Sequence, residues 1–120
     1  MYINGIKKEI KTIVIPEVQY YLESLKKILF EEEYFGFEES AIEYVNDLFD
    51  DIITNLPAKL KRQAPKYFTD RYGKGLYYAV FPKNRRTQWY AFFRIYKERG
   101  ELIYQIRYIA NNHIVAQYLG

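Results

Sequence analysis

The residues best suited to chemistry lie at the end of the chain. His113 is the sole histidine, and Tyr118 follows it within the ending NNHIVAQYLG. Attack of a 2′-hydroxyl on its own phosphodiester requires a proton acceptor, a proton donor and cations beside the phosphate. Histidine exchanges protons near neutral pH, and a tyrosine hydroxyl can donate one. The pair therefore predicts metal-independent RNA cleavage, although a lone histidine is more often structural and Tyr118 could belong to the core.

Basic and aromatic side chains near this pair could hold the RNA. Arg86, in the short run KNRR, is a third catalytic candidate because it could stabilise charge on the phosphate. Guanidinium groups bind phosphates and tyrosine rings stack on unpaired bases. The side chains predicted to bind RNA in this way are Lys83, Arg85, Arg94, Arg107, Tyr90 and Tyr96. The alternatives are a solvated turn at KNRR, arginines that merely lie across tyrosine rings, and a sheet face that the chain termini cover.

The charge of the chain is unevenly distributed. Residues 1–58 carry five lysines and twelve acidic residues, a net charge of −7. Residues 59–107 carry thirteen Lys and Arg and three acidic residues, a net charge of +10. This asymmetry indicates a polyanionic or acidic partner for the second half. The alternative is that acidic helices neutralise a basic sheet within the fold.

Length and composition limit the class of protein. A chain of 120 residues predicts a single domain over 1–120. The absence of cysteine excludes disulfides and thiolate metal sites, and with one histidine neither a metal nor another cofactor is expected. The sequence contains no recognisable signal peptide and no apolar run long enough to cross a bilayer. We therefore expect a cytoplasmic protein without a membrane partner.

Apolar spacing predicts a strand followed by two helices. A β-rich run at 10–15 ends at Pro16, and helical periodicity follows over 17–33. Ser40 and Glu43 match a capping box for a second helix, which should end at Pro57. A short link between two amphipathic helices predicts an antiparallel helical hairpin.

The second half of the chain has the alternating pattern of β-strands. Strands are predicted at 75–81, 86–97 and 102–110, and RYGKG is interpreted as a turn. Gly100 is expected to supply a positive φ in the loop between the last two strands. The predicted fold class is α+β, a two-layer sandwich in which the N-terminal strand and helical hairpin pack on an antiparallel β-meander.

A hairpin register follows if Lys97 lies opposite Leu102. Arg94 then faces Gln105, and Phe92 faces Arg107. The face predicted to pack on the helices consists of Trp89, Ala91, Phe93, Ile95, Tyr104, Ile106 and Tyr108. The face predicted to be open, basic and aromatic consists of Tyr90, Phe92, Arg94, Tyr96, Gln105 and Arg107. A shift of one residue would exchange the two faces.

The order strand–helix–helix–meander and the ending WYAFFRIYKERGELIYQIRYIANNHIVAQYL resemble the RelE/ParE superfamily of type II toxins. The order of elements covers nearly the whole chain, and residue-level likeness covers about its last third. The resemblance implies a small toxin with a helical hairpin on a curved antiparallel sheet. It further implies a ribosome-dependent mRNA endoribonuclease that a cognate antitoxin holds inactive.

The family's functional positions fall on residues already singled out. Its cation or histidine after the last long strand corresponds to His113, and its nearby tyrosine to Tyr118. Its basic residues around the middle strands correspond to the KNRR cations and, less directly, to Arg94. The chain departs from the pattern at Trp89, where many members have arginine, and in a long, acidic helical hairpin. Alternatives are a non-catalytic, gyrase-directed toxin of the ParE type and a plain nucleic-acid-binding module.

Overall fold

The computed structural model describes residues 2–3, 6–7, 9–32 and 35–119. This part of the chain forms an α+β fold with four α-helices and a five-stranded sheet. Two short strands, β1 (Tyr2–Ile3) and β2 (Ile6–Lys7), pair with each other in a separate ladder. Within these ranges, no helix has the length and apolar character that crossing a membrane requires.

The predicted helical hairpin is present, with one correction at its second helix. Strand β3 (Ile10–Val14) leads into α1 (Pro16–Glu31), whose first residue is the proline, and α2 is Glu38–Asn55. The last residue predicted for the first helix, 33, lies outside the described residues. The predicted capping box of Ser40 and Glu43 is wrong, because α2 starts two residues earlier and its N-cap position makes no side-chain hydrogen bond.

The second half contains the predicted strands and two further helices. After a 3-10 turn, η1 (Leu56–Ala58), its elements are β4 (Arg62–Gln63), α3 (Lys66–Tyr72), β5 (Tyr77–Pro82), β6 (Gln88–Glu98), β7 (Glu101–Asn111) and α4 (Asn112–Leu119). The strand order is β3-β7-β6-β5-β4. The predicted antiparallel meander is confirmed for β5, β6 and β7. Because β3 runs parallel to β7, the five-stranded sheet as a whole is mixed. Helix α3 was not predicted. The sequence left open whether residues 114–119 form a last strand or a helical turn, and they belong to α4.

The hairpin between β6 and β7 turns more tightly than expected. Glu98 and Glu101 already pair, so the loop consists of Arg99 and Gly100 alone. Both have positive φ, 49° and 81°, as a two-residue turn of the I′ type requires. The positive φ predicted at Gly100 is confirmed, as is the pairing of Lys97 with Leu102.

The predicted register holds at the tip of this hairpin and changes farther down. Arg94 pairs with Gln105, as predicted, but Phe92 pairs with Tyr108 and not with Arg107. The ladder shifts between Phe92 and Phe93, which leaves Arg107 as the extra residue of a β-bulge. Tyr108 therefore lies on the face opposite to the one predicted.

Helices cover the sheet on both faces, so the prediction of two layers is wrong. The first face packs on α1 and α2, and its core includes the predicted residues Trp89, Phe93 and Ile106. On the second face, Phe68 of α3 and Val115 of α4 pack with Phe92 in a separate core. Phe92 was predicted to lie on an open face, yet none of its surface is exposed. The second face is therefore exposed only where α3 and α4 do not cover it.

Candidate nucleic-acid interface

Direct ion pairs do not neutralise the basic half of the chain. In the described ranges, the salt bridges are Lys26–Glu23, Lys27–Glu31 and Lys66–Asp70, each within a single helix. Of the thirteen cations in residues 59–107, Lys66 alone has a carboxylate partner among the described residues. Within the described part of the chain, the acidic helices α1 and α2 thus form no ion pairs with the basic sheet. Salt bridges between helices and sheet therefore do not explain the uneven charge there.

Two predicted RNA-binding arginines meet at a glycine. Gly73 ends α3 with a φ of 119°, a conformation that side chains rarely adopt. A Cβ there would lie 2.7 Å from Nη1 of Arg107 and 3.6 Å from Cδ of Arg94. The bulge at Arg107 and the glycine at the end of α3 thus allow both arginines to lie close against the backbone.

A recess of about 760 Å³ opens beside this glycine, between α3, Ile15 after β3, and Arg107 of β7. We call it the basic recess. Its cations are Lys66, Arg71, Lys74 and Arg107. Asp70 also lines it but is engaged by Lys66, with Nζ 2.6 Å from the carboxylate oxygen. The other three cations have no carboxylate partner among the described residues, although Nη1 of Arg71 donates to the carbonyl of Tyr67 at 2.9 Å. They line a volume typical of small-ligand pockets.

One wall of the basic recess is formed by a stacked tyrosine pair. The rings of Tyr72 and Tyr108 lie 4.4 Å apart and nearly parallel, and Tyr72 lines the recess. Burial raises the pKa of Tyr108 to about 12, and it also raises the pKa of Tyr72 above its ordinary value. Both hydroxyls therefore stay protonated at neutral pH, and the hydroxyl of Tyr72 can donate a hydrogen bond to an anion.

Tyr118, a predicted catalytic residue, belongs to a three-part stack. Its ring lies 3.6 Å from that of Tyr67 with an interplanar angle of 9°. The guanidinium of Arg71 lies over Tyr67 at the same distance, so it must occupy the other side of that ring. The Tyr67 hydroxyl beside it raises the pKa of Tyr118 above its ordinary value. This protonated hydroxyl could donate a proton to a leaving group but could not accept one at neutral pH.

His113 is exposed near the start of α4, where the two preceding asparagines are engaged by the backbone. Asn111 caps the helix: its Oδ1 accepts from the backbone N–H of His113 at 3.0 Å and from that of Ile114 at 3.2 Å. Asn112 ties the helix to the KNRR loop, since its Nδ2 donates to the carbonyl of Arg86 at 3.1 Å. His113 and Arg86 therefore lie at the same end of the sheet, where β6 begins and β7 ends.

The structure does not bring His113 and Tyr118 onto one side of α4. Residues five positions apart on an α-helix point about 140° apart. Val115, which is fully buried, lies about 60° from Tyr118 and about 160° from His113 around the helix axis. Tyr118 therefore faces the sheet and α3, whereas His113 faces away from them.

The cations of the KNRR loop point in two directions, the arginines to solvent and Lys83 toward α2. Oδ1 of Asn84 accepts hydrogen bonds from the backbone N–H groups of Arg86 and Thr87, which orders the turn. Arg85 and Arg86 are exposed. Nζ of Lys83 lies 5.3 Å from the ring of Tyr44 in α2, so this lysine is directed toward the helical hairpin.

A second concavity lies on the same face as the basic recess. This tyrosine groove, of about 390 Å³, is lined by Lys59, Leu60, Arg62, Tyr78, Val80 and Tyr90. The rings of Tyr78 and Tyr90 are 5.7 Å apart and inclined. Tyr90, predicted to bind RNA, thus contributes to an accessible aromatic surface beside two cations. Tyr96 pairs with Ile103 farther along β6 and lines neither concavity.

Sequence reasoning missed the contribution of α3. Lys66, Arg71 and Lys74 come from a segment interpreted only as a connection and a turn. Pro65 before this segment, Gly73 after it, and the i,i+4 pair of Lys66 and Asp70 were the available signals. A helix of seven residues gives too little periodicity for these signals to stand out.

Comparison of the chain with protein-family models, curated proteins and solved structures gave no match. The RelE/ParE resemblance therefore stays a prediction from the sequence.

Proposed function

We propose that this protein binds RNA through the second face of its sheet. The observation that carries the proposal is the set of cations on that face that have no carboxylate partner among the described residues, concentrated at the basic recess and the tyrosine groove. Neutralisation of backbone phosphates supplies most of the affinity in nucleic-acid binding. Cations that no carboxylate of the described residues neutralises can make such phosphate contacts.

The aromatic residues favour unpaired RNA over a duplex. Tyr78 and Tyr90 line the tyrosine groove next to Lys59 and Arg62. A base must leave its helical stack before it can lie on a tyrosine ring, and single strands offer such bases at little cost. A duplex would offer phosphates to the cations but no base to the rings.

Binding of a fluorescently labelled oligouridine, followed by anisotropy at several salt concentrations, tests this proposal. For three to four phosphate contacts, the logarithm of the association constant should fall with the logarithm of salt with a slope of about −2 to −3. Single-stranded RNA should bind about tenfold more tightly than a duplex of equal length. Absence of binding at low salt would contradict the proposal.

A second candidate function is the metal-independent, ribosome-dependent mRNA endoribonuclease of a type II toxin–antitoxin system. The hydrogen bond from Asn112 to the carbonyl of Arg86 favours it, because it keeps a potential proton acceptor, His113, at the end of the sheet that carries two exposed arginines. Tyr118 would serve as proton donor only if the RNA reached the α3 side of α4. The partners in this case would be mRNA on the ribosome and an inhibiting antitoxin.

Expression in bacteria tests this second candidate. We expect growth arrest with new in-frame mRNA ends for the wild type, and loss of both in His113→Ala and Arg86→Ala. Gln117→Ala, an exposed change on the same helix, should behave like the wild type. Arrest without new mRNA ends would indicate a gyrase-type target instead, and unimpaired growth with folded protein would exclude a toxin.

A further inference from the structure

The positive charge in the basic recess exceeds the negative charge of one internal phosphodiester. Arg71, Lys74 and Arg107 line one recess, and the single carboxylate there, that of Asp70, is engaged by Lys66. An internal phosphate of RNA carries one negative charge. Three cations held together repel each other, and a ligand with several adjacent negative charges relieves this repulsion best.

From this charge balance we infer that the basic recess binds the terminal polyphosphate of a nucleotide, either at the 5′ end of an RNA or in a free nucleoside triphosphate. The inference rests on the proposed RNA binding and assigns the end of the strand to the recess. The bases that follow would then lie outside the recess, on the face that carries Tyr78 and Tyr90.

The geometry of the recess suits such a ligand. Its volume of about 760 Å³ lies in the range of small-molecule and cofactor sites. Nη1 of Arg107 lies against the backbone of Gly73, where no side chain limits the approach of the guanidinium. Arginine presents several N–H donors in one plane and can bridge neighbouring phosphate oxygens.

Neutral groups complete the recess. Tyr72 lines it with a hydroxyl that remains protonated, since burial raises the pKa of this tyrosine, and this hydroxyl can donate to a phosphate oxygen. Ile15 forms an apolar wall at the end of β3, where its backbone N–H is already bonded to the carbonyl of Ile106. The polar groups that face the recess are thus mostly donors.

The test compares oligouridine of about ten nucleotides bearing a 5′-triphosphate with the same strand bearing a 5′-hydroxyl, and adds UTP as a third probe. For the wild type we expect the triphosphate strand to bind about tenfold more tightly than the hydroxyl strand. This ratio should fall toward one in Arg107→Gln and in Lys74→Gln. Lys97→Gln, an exposed lysine outside the recess, should keep it.

The outcomes separate the inference from the proposal on which it rests. Equal binding of the two strands would overturn the terminal-phosphate inference and leave RNA binding intact. Binding of UTP without binding of either strand would support the polyphosphate site and overturn the proposal of RNA binding. Competition by UTP against the triphosphate strand would support the inference and show that free nucleotides share the site. Binding of none of the three probes would overturn both.

Discussion

Replacing Phe92 with alanine is expected to lower the free energy of unfolding by about 3–5 kcal/mol. The ring has no exposed surface, and its centroid lies 4.3 Å from that of Phe68 in a stacked arrangement. The rings of Tyr78 and Tyr108 lie at 5.7 Å on either side. Truncation would therefore leave a cavity where α3 meets the sheet. Urea denaturation followed by circular dichroism measures the change.

Tyr96→Ala is the matched control, because Tyr96 lies on the same strand and the same face but remains partly exposed. We expect it to cost about 1 kcal/mol or less. A loss for Phe92→Ala no larger than that of the control would mean that α3 does not cover this part of the sheet. The second face would then be the open surface predicted from the sequence.

Reversing the charge of Arg94 and Arg107 together is expected to weaken binding of single-stranded RNA by about a hundredfold or more. Both side chains lie beside Gly73, and neither has a carboxylate partner among the described residues. The double variant Arg94→Glu, Arg107→Glu removes two phosphate contacts and adds repulsion at the same place. Anisotropy at constant ionic strength measures the effect, and thermal denaturation verifies that the variant folds.

A control with the same change in net charge is available on the same hairpin. Lys97→Glu, Arg99→Glu alters the exposed tip of β6 and β7, away from the basic recess. It should weaken binding by about threefold, through the overall field alone. Equal losses in the two double variants would mean that net charge, and not the basic recess, determines the affinity.

The parts of the fold that could be predicted are those with long periodic patterns. The stripes of α1 and α2 and the alternation in β6 and β7 extend over enough residues to identify each element and the face that it buries. The tight turn at Gly100 followed from residue type alone. The first residue of α2 was not predicted correctly, because Ser40 and Glu43 match a capping motif that the helix does not use.

The second face could not be predicted because three local features determine it together. The bulge at Arg107 turns Tyr108 to this face, and a ladder counted from the hairpin tip contains no sign of it. Helix α3 is too short for its pattern to be recognised. Asn111, a favourable N-cap residue, was a sequence signal for helix α4. The eight residues of α4 are too few for their apolar pattern to distinguish a helix from a strand.

Of the predicted site residues, the structure brings some together and separates others. Arg94 and Arg107 meet at Gly73, and Arg86 lies beside the start of α4 that carries His113. Tyr118 instead faces Tyr67. Their short separation in sequence led us to expect His113 and Tyr118 to act together. Because both belong to one helix, their side chains point in different directions.

The most direct test of the central claim, that RNA binds the face carrying the basic recess, is an NMR titration of the labelled protein with unlabelled oligouridine. We predict that the backbone amide signals of Gly73, Lys74 and Arg107 shift as RNA is added, while those of α1 and α2 stay in place. Shifts concentrated in the acidic helices, or no shifts at any RNA concentration, would contradict the claim.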